Sequence, residues 1–287
     1  MSNRNEDSSP RFIANYPGLI DIVENENGDL LFLERLGENL TTSSYIELDG
    51  VRYLPPPKAQ IPWKLPRIEK ISEYWEQSKS DYKKWERNLY LELLQFHKSV
   101  SELPSESYYD LLVAWDFHTY LLEPCQYSPI ICFYSVAERG KTRTAMAMTY
   151  LARRGVVVGS LREAHIIRLS KYFDAMIFFD VKDFMRRVVN NGSEDIVLYR
   201  HERGLRVPRV NFEKPAFLDM EYYSTFGATV IGTNTNLDQI LETRAIIINM
   251  RETSSAFEND ITPESCLDLK EKLLVFRARH IHSKLLD

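Results

Sequence analysis

The chain has 287 residues, 44% of them hydrophobic and 27% charged, with 11 glycines and three cysteines. That is enough apolar material for one main domain and a smaller appendage, and it excludes collagen-like, disulfide-stapled and low-complexity chains. Net charge is −5, but Glu138 to Lys214 holds 16 Lys+Arg against 9 Asp+Glu (+7), leaving 20 against 32 (−12) elsewhere. A basic block on an acidic protein points to an anionic ligand such as nucleotide or nucleic acid, and equally fits basic side chains facing solvent.

No apolar run approaches the ~20 residues of a membrane span. The polar start MSNRNEDSSPR lacks the apolar stretch of a signal peptide. Cys125, Cys132 and Cys266 are too scattered for a disulfide framework or a zinc site. The expectation is a cytoplasmic protein without membrane contact.

In chain order, residues 1–11 read as a disordered tail. Over 12–57, apolar runs flank Asn-Gly-Asp and Asp-Gly turns, which predicts a small antiparallel β unit. PPPKAQIPWKLP opens 58–124 as a stiff linker, and helical spacing follows, with Ser105 as a candidate N-cap and Pro124 past the end. From 125 to 287 strand and helix alternate. Strands are expected at 129–134, 156–159, 175–180, 228–234 and 245–250, with a closing helix at 264–286. Their continuous apolar character predicts parallel strands covered on both faces, so the fold class is α/β.

Chemistry concentrates after the first of these strands. Ser135-Val-Ala-Glu-Arg-Gly140-Lys141-Thr142 fits the phosphate-loop pattern G-x-x-x-x-G-K-[ST], except that serine stands where the first glycine belongs. In such a loop backbone amides wrap the phosphates, lysine neutralises them and the hydroxyl holds Mg²⁺. The candidate nucleotide-binding set is therefore Ser135, Glu138, Arg139, Gly140, Lys141, Thr142 and Arg143. Asp180 ends the apolar run AMIFFD and is the second candidate Mg²⁺ ligand, or else the cap of the next helix. Val181 follows it and cannot take a proton. Asp183 is then the nearest candidate general base, with Glu138 another.

Thr233-Asn234 ends a further apolar strand, and Arg244 precedes the last one. Asn234 also fits a turn residue, and Arg244 a solvated helix end. This order of motifs resembles ATPases of the AAA+ and helicase group. It is closer still to the helicase-like ATPases that accompany primases in phages and mobile elements, over about 128–280. The resemblance implies a parallel P-loop sheet flanked by helices, with ATP and Mg²⁺ as cofactors. It makes Asn234 the γ-phosphate sensor and Arg244 an arginine finger acting in a neighbouring subunit, hence a homo-oligomeric ring. It also implies DNA, as a single strand, and a separate primase as candidate partners.

Arg200, His201, Arg203, Arg206 and Arg209 crowd ten residues broken by Gly204 and Pro208, a turn or hairpin rather than a helix. Arg200, Arg203, Arg206 and Arg209 are the candidate contacts to DNA phosphates. A solvated loop or an inter-subunit patch fits them too. Arg277 or Arg279 could approach the nucleotide from the closing helix, and the four tryptophans read as core or interface anchors. The function expected is ATP binding with hydrolysis, coupled to DNA or replication. A nucleotide-binding scaffold without turnover is the alternative that Ser135 and Val181 favour, and a small-molecule kinase or GTP-dependent enzyme is a third.

Overall fold

A computed structural model describes residues 10–136, 140–252, 257 and 260–281. Most of the expected tail, and Glu138 and Arg139 of the loop, lie outside the described residues.

Six short strands come first: β1 (Arg11–Phe12), β2 (Asp21–Glu24), β3 (Leu30–Leu36), β4 (Asn39–Ser43), β5 (Ile46–Leu48) and β6 (Val51–Leu54). β2, β3 and β4 form an antiparallel meander, and β5 and β6 a hairpin whose far edge takes β1 in parallel. The Asn27-Gly28 and Asp49-Gly50 turns fall between β2 and β3 and between β5 and β6, as alternation around those dipeptides predicts. Strand β1 takes in Arg11, the last residue of the expected tail.

Three helices follow: α1 (Ile68–Ser78), α2 (Tyr82–Val100) and α3 (Glu106–Tyr120). The Asp81 carboxylate caps α2 by accepting from the Lys84 amide at 3.0 Å. Ser105 occupies the cap position of α3, but its hydroxyl meets that of Ser107 instead of a backbone amide.

The remaining elements are β7 (Ile130–Tyr134), α4 (Lys141–Leu151), β8 (Val156–Val158), α5 (Glu163–Phe173), β9 (Ile177–Asp180), α6 (Phe184–Asn190), α7 (Glu194–Leu198), β10 (Arg206–Val210), β11 (Met220–Ser224), β12 (Thr229–Thr233), α8 (Gln239–Glu242), β13 (Ala245–Asn249) and α9 (Leu267–His280). Five of these strands form one all-parallel sheet in the order β13-β7-β12-β9-β8. Side-chain alternation divides its core. Ile130, Cys132, Ile177, Phe179 and Ile231 face one buried cluster with α5 to α8, while Ile131, Phe133, Phe178 and Val230 face another with α3 and α4. The class is mixed α/β, a parallel sheet flanked by helices with small antiparallel sheets beside it. Among the described residues no helix is long and apolar enough to cross a membrane.

The first 120 residues are not set apart from this body. Ile20, Val23 and Leu33 share one core with Trp75, Leu93, Leu151 and Leu274. Buried charge crosses the same seam. Asp21, 1% exposed, accepts from Arg154 Nε at 2.6 Å and lies 3.7 Å from Arg153 Nε. Arg277, read from sequence as a residue that could approach nucleotide, is 1% exposed and spends its guanidinium on the Leu19, Ile20 and Tyr120 carbonyls and on Glu123. It ties α9 to the N-terminal strands and is not available to a ligand.

Candidate functional site

Parallel strands end together, so β7, β12 and β9 deliver Ser135, Thr233-Asn234 and Asp180 to one edge of the sheet. Their register is tight: Thr233 pairs Tyr134 on one side of β12, and Gly232 pairs Asp180 on the other. The Ser135 amide extends this ladder by donating to the Thr233 carbonyl at 3.2 Å. The polar-tipped strand thus lies between the loop strand and the aspartate strand.

Gly140 caps α4 with φ +74°, a left-handed conformation that glycine adopts without the ~1 kcal/mol a side chain would add. Ser135 is not among the residues of positive φ. The missing first glycine therefore imposes no backbone strain, and the serine hydroxyl gains a partner. Lys141 Nζ donates to Ser135 O at 2.7 Å, Ser135 Oγ at 3.0 Å and Val136 O at 2.8 Å. Burial draws the Lys141 ammonium below its ordinary pKa, and the Asp180 carboxylate pushes it back up, so the two side chains feel each other's charge. Thr142 and Asp180 are both exposed at this edge.

Arg143 belongs elsewhere. Its Nε donates to the Val100 carbonyl at the end of α2 at 2.8 Å, and its guanidinium lies over Phe257. Asn234 is exposed at the tip of β12, where Thr233 Oγ1 holds the turn by accepting from the Thr235 amide at 3.1 Å. Arg244 stands just before β13, and its carbonyl accepts from Ile130 N at the start of β7. That is the opposite edge of the sheet, about 16 Å from Ser135 at ~3.3 Å per residue, so Arg244 cannot serve its own chain's loop.

Val181 is 3% exposed and packed in the cluster with Phe184 and Val188. A glutamate there would point into hydrocarbon. Val181→Glu is expected to cost about 3 kcal/mol from an unpartnered buried carboxyl and lost valine packing, with no gain in nucleotide turnover. Denaturant unfolding and an ATP assay on the variant check both statements. Asp183 is half-buried and sits at the start of α6 with φ +54°, an uncommon backbone state that aspartate tolerates better than most residues.

The basic segment needs correction at its first member. Arg200 is fully buried and bonds Thr229 Oγ1, Ser170 Oγ and the Thr225, Ala175 and Ala228 carbonyls at 2.6–3.1 Å. Those backbone acceptors cluster where β9 and β12 begin, and Arg200 satisfies them at once. Burial lowers its pKa to about 9. A Cβ on Gly227 would come within 2.9 Å of this guanidinium, so the bare backbone there makes room for it. Arg200 is a structural cross-brace and not a DNA contact. Arg203 donates to the Cys125 and Leu122 carbonyls, and Arg209 pairs with Glu163. Arg206 is exposed and makes no side-chain bond or ion pair among the described residues.

The expected turn exists as a longer hairpin, β10 paired antiparallel with β11. Residues 206–224 contain Arg206, Arg209 and Lys214 against Glu213, Asp219 and Glu221, a net charge of zero. Its tip is aromatic and bare. Phe212 is 93% exposed and Phe217 100%, and Phe217 holds φ +71°, a strained state for a bulky residue. Neither ring stands out in the sequence, where the neighbouring arginines carry the conspicuous chemistry. The signal was NFEKPAF, a turn-rich stretch flanked by two aromatics.

No family model matches the chain, and no curated protein does. Among solved structures, the apo A form of the NrS-1 C-terminal region is similar at 10% sequence identity and a TM-score of 0.38, over 91% of this chain and 66% of that one. This chain thus spans just under two thirds of that structure's length. At that score the likeness carries no weight for the site or its chemistry.

Proposed function

We propose that the chain binds ATP at Ser135–Lys141, with Mg²⁺ between Thr142 and Asp180, and acts as an AAA+/helicase-like P-loop ATPase on single-stranded DNA. One observation carries this reading: Lys141, behind the left-handed Gly140, shares a sheet edge with Asp180 while the Thr233-Asn234 tip lies between their strands. Mg²⁺ in such sites takes one or two carboxylates and leaves its other positions to phosphate and water, which an exposed Thr142 and Asp180 suit. When bound, the ion would neutralise part of the triphosphate's charge.

The chain's own residues do the rest. Lys141 exchanges its three loop acceptors for phosphate oxygens, and the α4 N-terminus turns its amides and positive dipole end toward the same charge. Asn234 orients the γ-phosphate or the attacking water, and Asp183, three residues after Asp180, serves as the general base. Arg244, on the far edge, completes a neighbouring subunit's site in a ring. The second reading is a nucleotide-ordered scaffold, with or without a primase, favoured by the hydrocarbon setting of Val181. ATP turnover measured with and without single-stranded DNA separates the two. Stimulated turnover supports the motor, tight binding without turnover supports the scaffold, and no uptake of ATP or GTP at millimolar level with magnesium defeats both.

DNA contact moves from arginines to rings. A neutral hairpin with bare phenylalanines suits base stacking, worth ~1–3 kcal/mol per base, more than phosphate binding. Phe217→Ala is expected to weaken single-strand affinity about tenfold at any salt. Arg206→Ala is expected to lower the salt slope by roughly 0.7, one single-strand phosphate's worth. Fluorescence anisotropy of a labelled oligonucleotide between low and high salt reads both, and an affinity unchanged by Phe217→Ala would overturn the stacking model.

A further inference from the structure

A cavity of about 380 Å³ lies on the other edge of the parallel sheet, where β8 begins. Trp63, Tyr150, Val156 and Pro263 give it apolar and aromatic walls, Lys64 and His165 are exposed residues on its lining, and Lys270 of α9 lines it from within. Lys270 is 2% exposed, and no acceptor among the described residues bonds its ammonium. The carboxylate that acts on it, Asp21, is already taken by Arg154 and Arg153. Arg153 has Glu123 3.9 Å away as a second carboxylate, but Lys270 has only the charge of Asp21, itself engaged by two arginines, and such a buried ammonium is costly unless further negative charge arrives or it gives up its proton. Burial lowers the Lys270 pKa to about 8, which leaves it charged at neutral pH. The Trp63 indole N–H is likewise buried without a partner. A volume above ~300 Å³ falls in the range of small-ligand sites.

We propose that this cavity binds a small organic anion with a planar apolar body, its carboxylate or phosphate head on Lys270 and its ring between Trp63 and Tyr150. The site is independent of Lys141, which stands at the opposite edge of the sheet. The test is calorimetric titration of the full chain with 2-naphthoate, 2-naphthyl phosphate and the neutral 2-naphthamide, the first two separating the head groups. At least one anion is expected to bind tenfold or more tightly than the amide. Lys270→Met, which removes a desolvated charge and should fold at least as well, is expected to lose that preference while ATP binding stays unchanged. Lys270→Gln serves in its place if the methionine variant misfolds. Equal binding of amide and anions, unaltered anion affinity in the Lys270 variant, or no anion binding to the wild type at millimolar level each overturns the assignment.

Discussion

Lys141→Ala is expected to weaken ATP binding roughly 10- to 150-fold, the loss of charge-assisted hydrogen bonds worth about 1.5–3 kcal/mol. Turnover, where present, should fall further, by about 10²–10³, because the ammonium meets charge that grows toward the transition state. The reason lies in what surrounds it. Ser135 O, Ser135 Oγ and Val136 O all turn toward Nζ, and without the lysine a phosphate arriving there would meet carbonyl oxygens and no cation. Folding should be spared, since Lys141 is only half-buried and belongs to no core cluster. Isothermal titration with ATP and magnesium, alongside a thermal melt, gives both readouts. An affinity within threefold of wild type would mean that the loop does not hold phosphate.

Asp21→Ala should cost about 3–5 kcal/mol, because it leaves Arg154 buried without its carboxylate and Arg153 with Glu123 alone, 3.9 Å away. The sign with pH follows from the folded state. Burial raises the Asp21 pKa, but Arg154 and Arg153 outweigh it and hold the group below its ordinary value of 3.8. Its contribution is then fully present above 3.8 and disappears as pH falls through the depressed value. Glu123, brought to about 2 beside Arg277 and Arg153 against the pull of burial, loses its share in the same direction. Urea unfolding of wild type and variant at pH 7 and pH 3 should show the gap between them narrowing in acid. Asp21→Ala combined with Arg154→Met should recover part of the loss, and a single-variant cost below 1 kcal/mol would rule out a stabilising seam.

The parallel sheet was legible because its strands are apolar on both faces and end at glycine or polar residues, so five segments stood out within two residues of their ends. The passage from β7 into α4 was legible from Gly140-Lys141-Thr142 and the apolar run before it. Charge misled where burial decides the outcome. Arg200 and Arg277 look like ligand-binding residues in a string of letters, yet each closes a set of backbone carbonyls that only the assembled fold brings together. The β10–β11 hairpin runs longer than the turn expected near Gly204 and Pro208, because proline and charge interrupt the alternation of its strands. Lys270 gave no sign either, as a lysine at helical spacing reads as solvent-facing until α9 is docked.

The seam between the first strands and the rest bears on how this chain can be shortened. A fragment starting at Ser128 would keep every strand of the parallel sheet, yet Arg153 and Arg154 would lose Asp21, and Arg277 would lose Leu19, Ile20, Tyr120 and Glu123 together. The leading 127 residues are therefore a structural counterweight to the parallel-sheet body rather than a detachable module, and removing them strips buried charge of its partners on the other side of the seam.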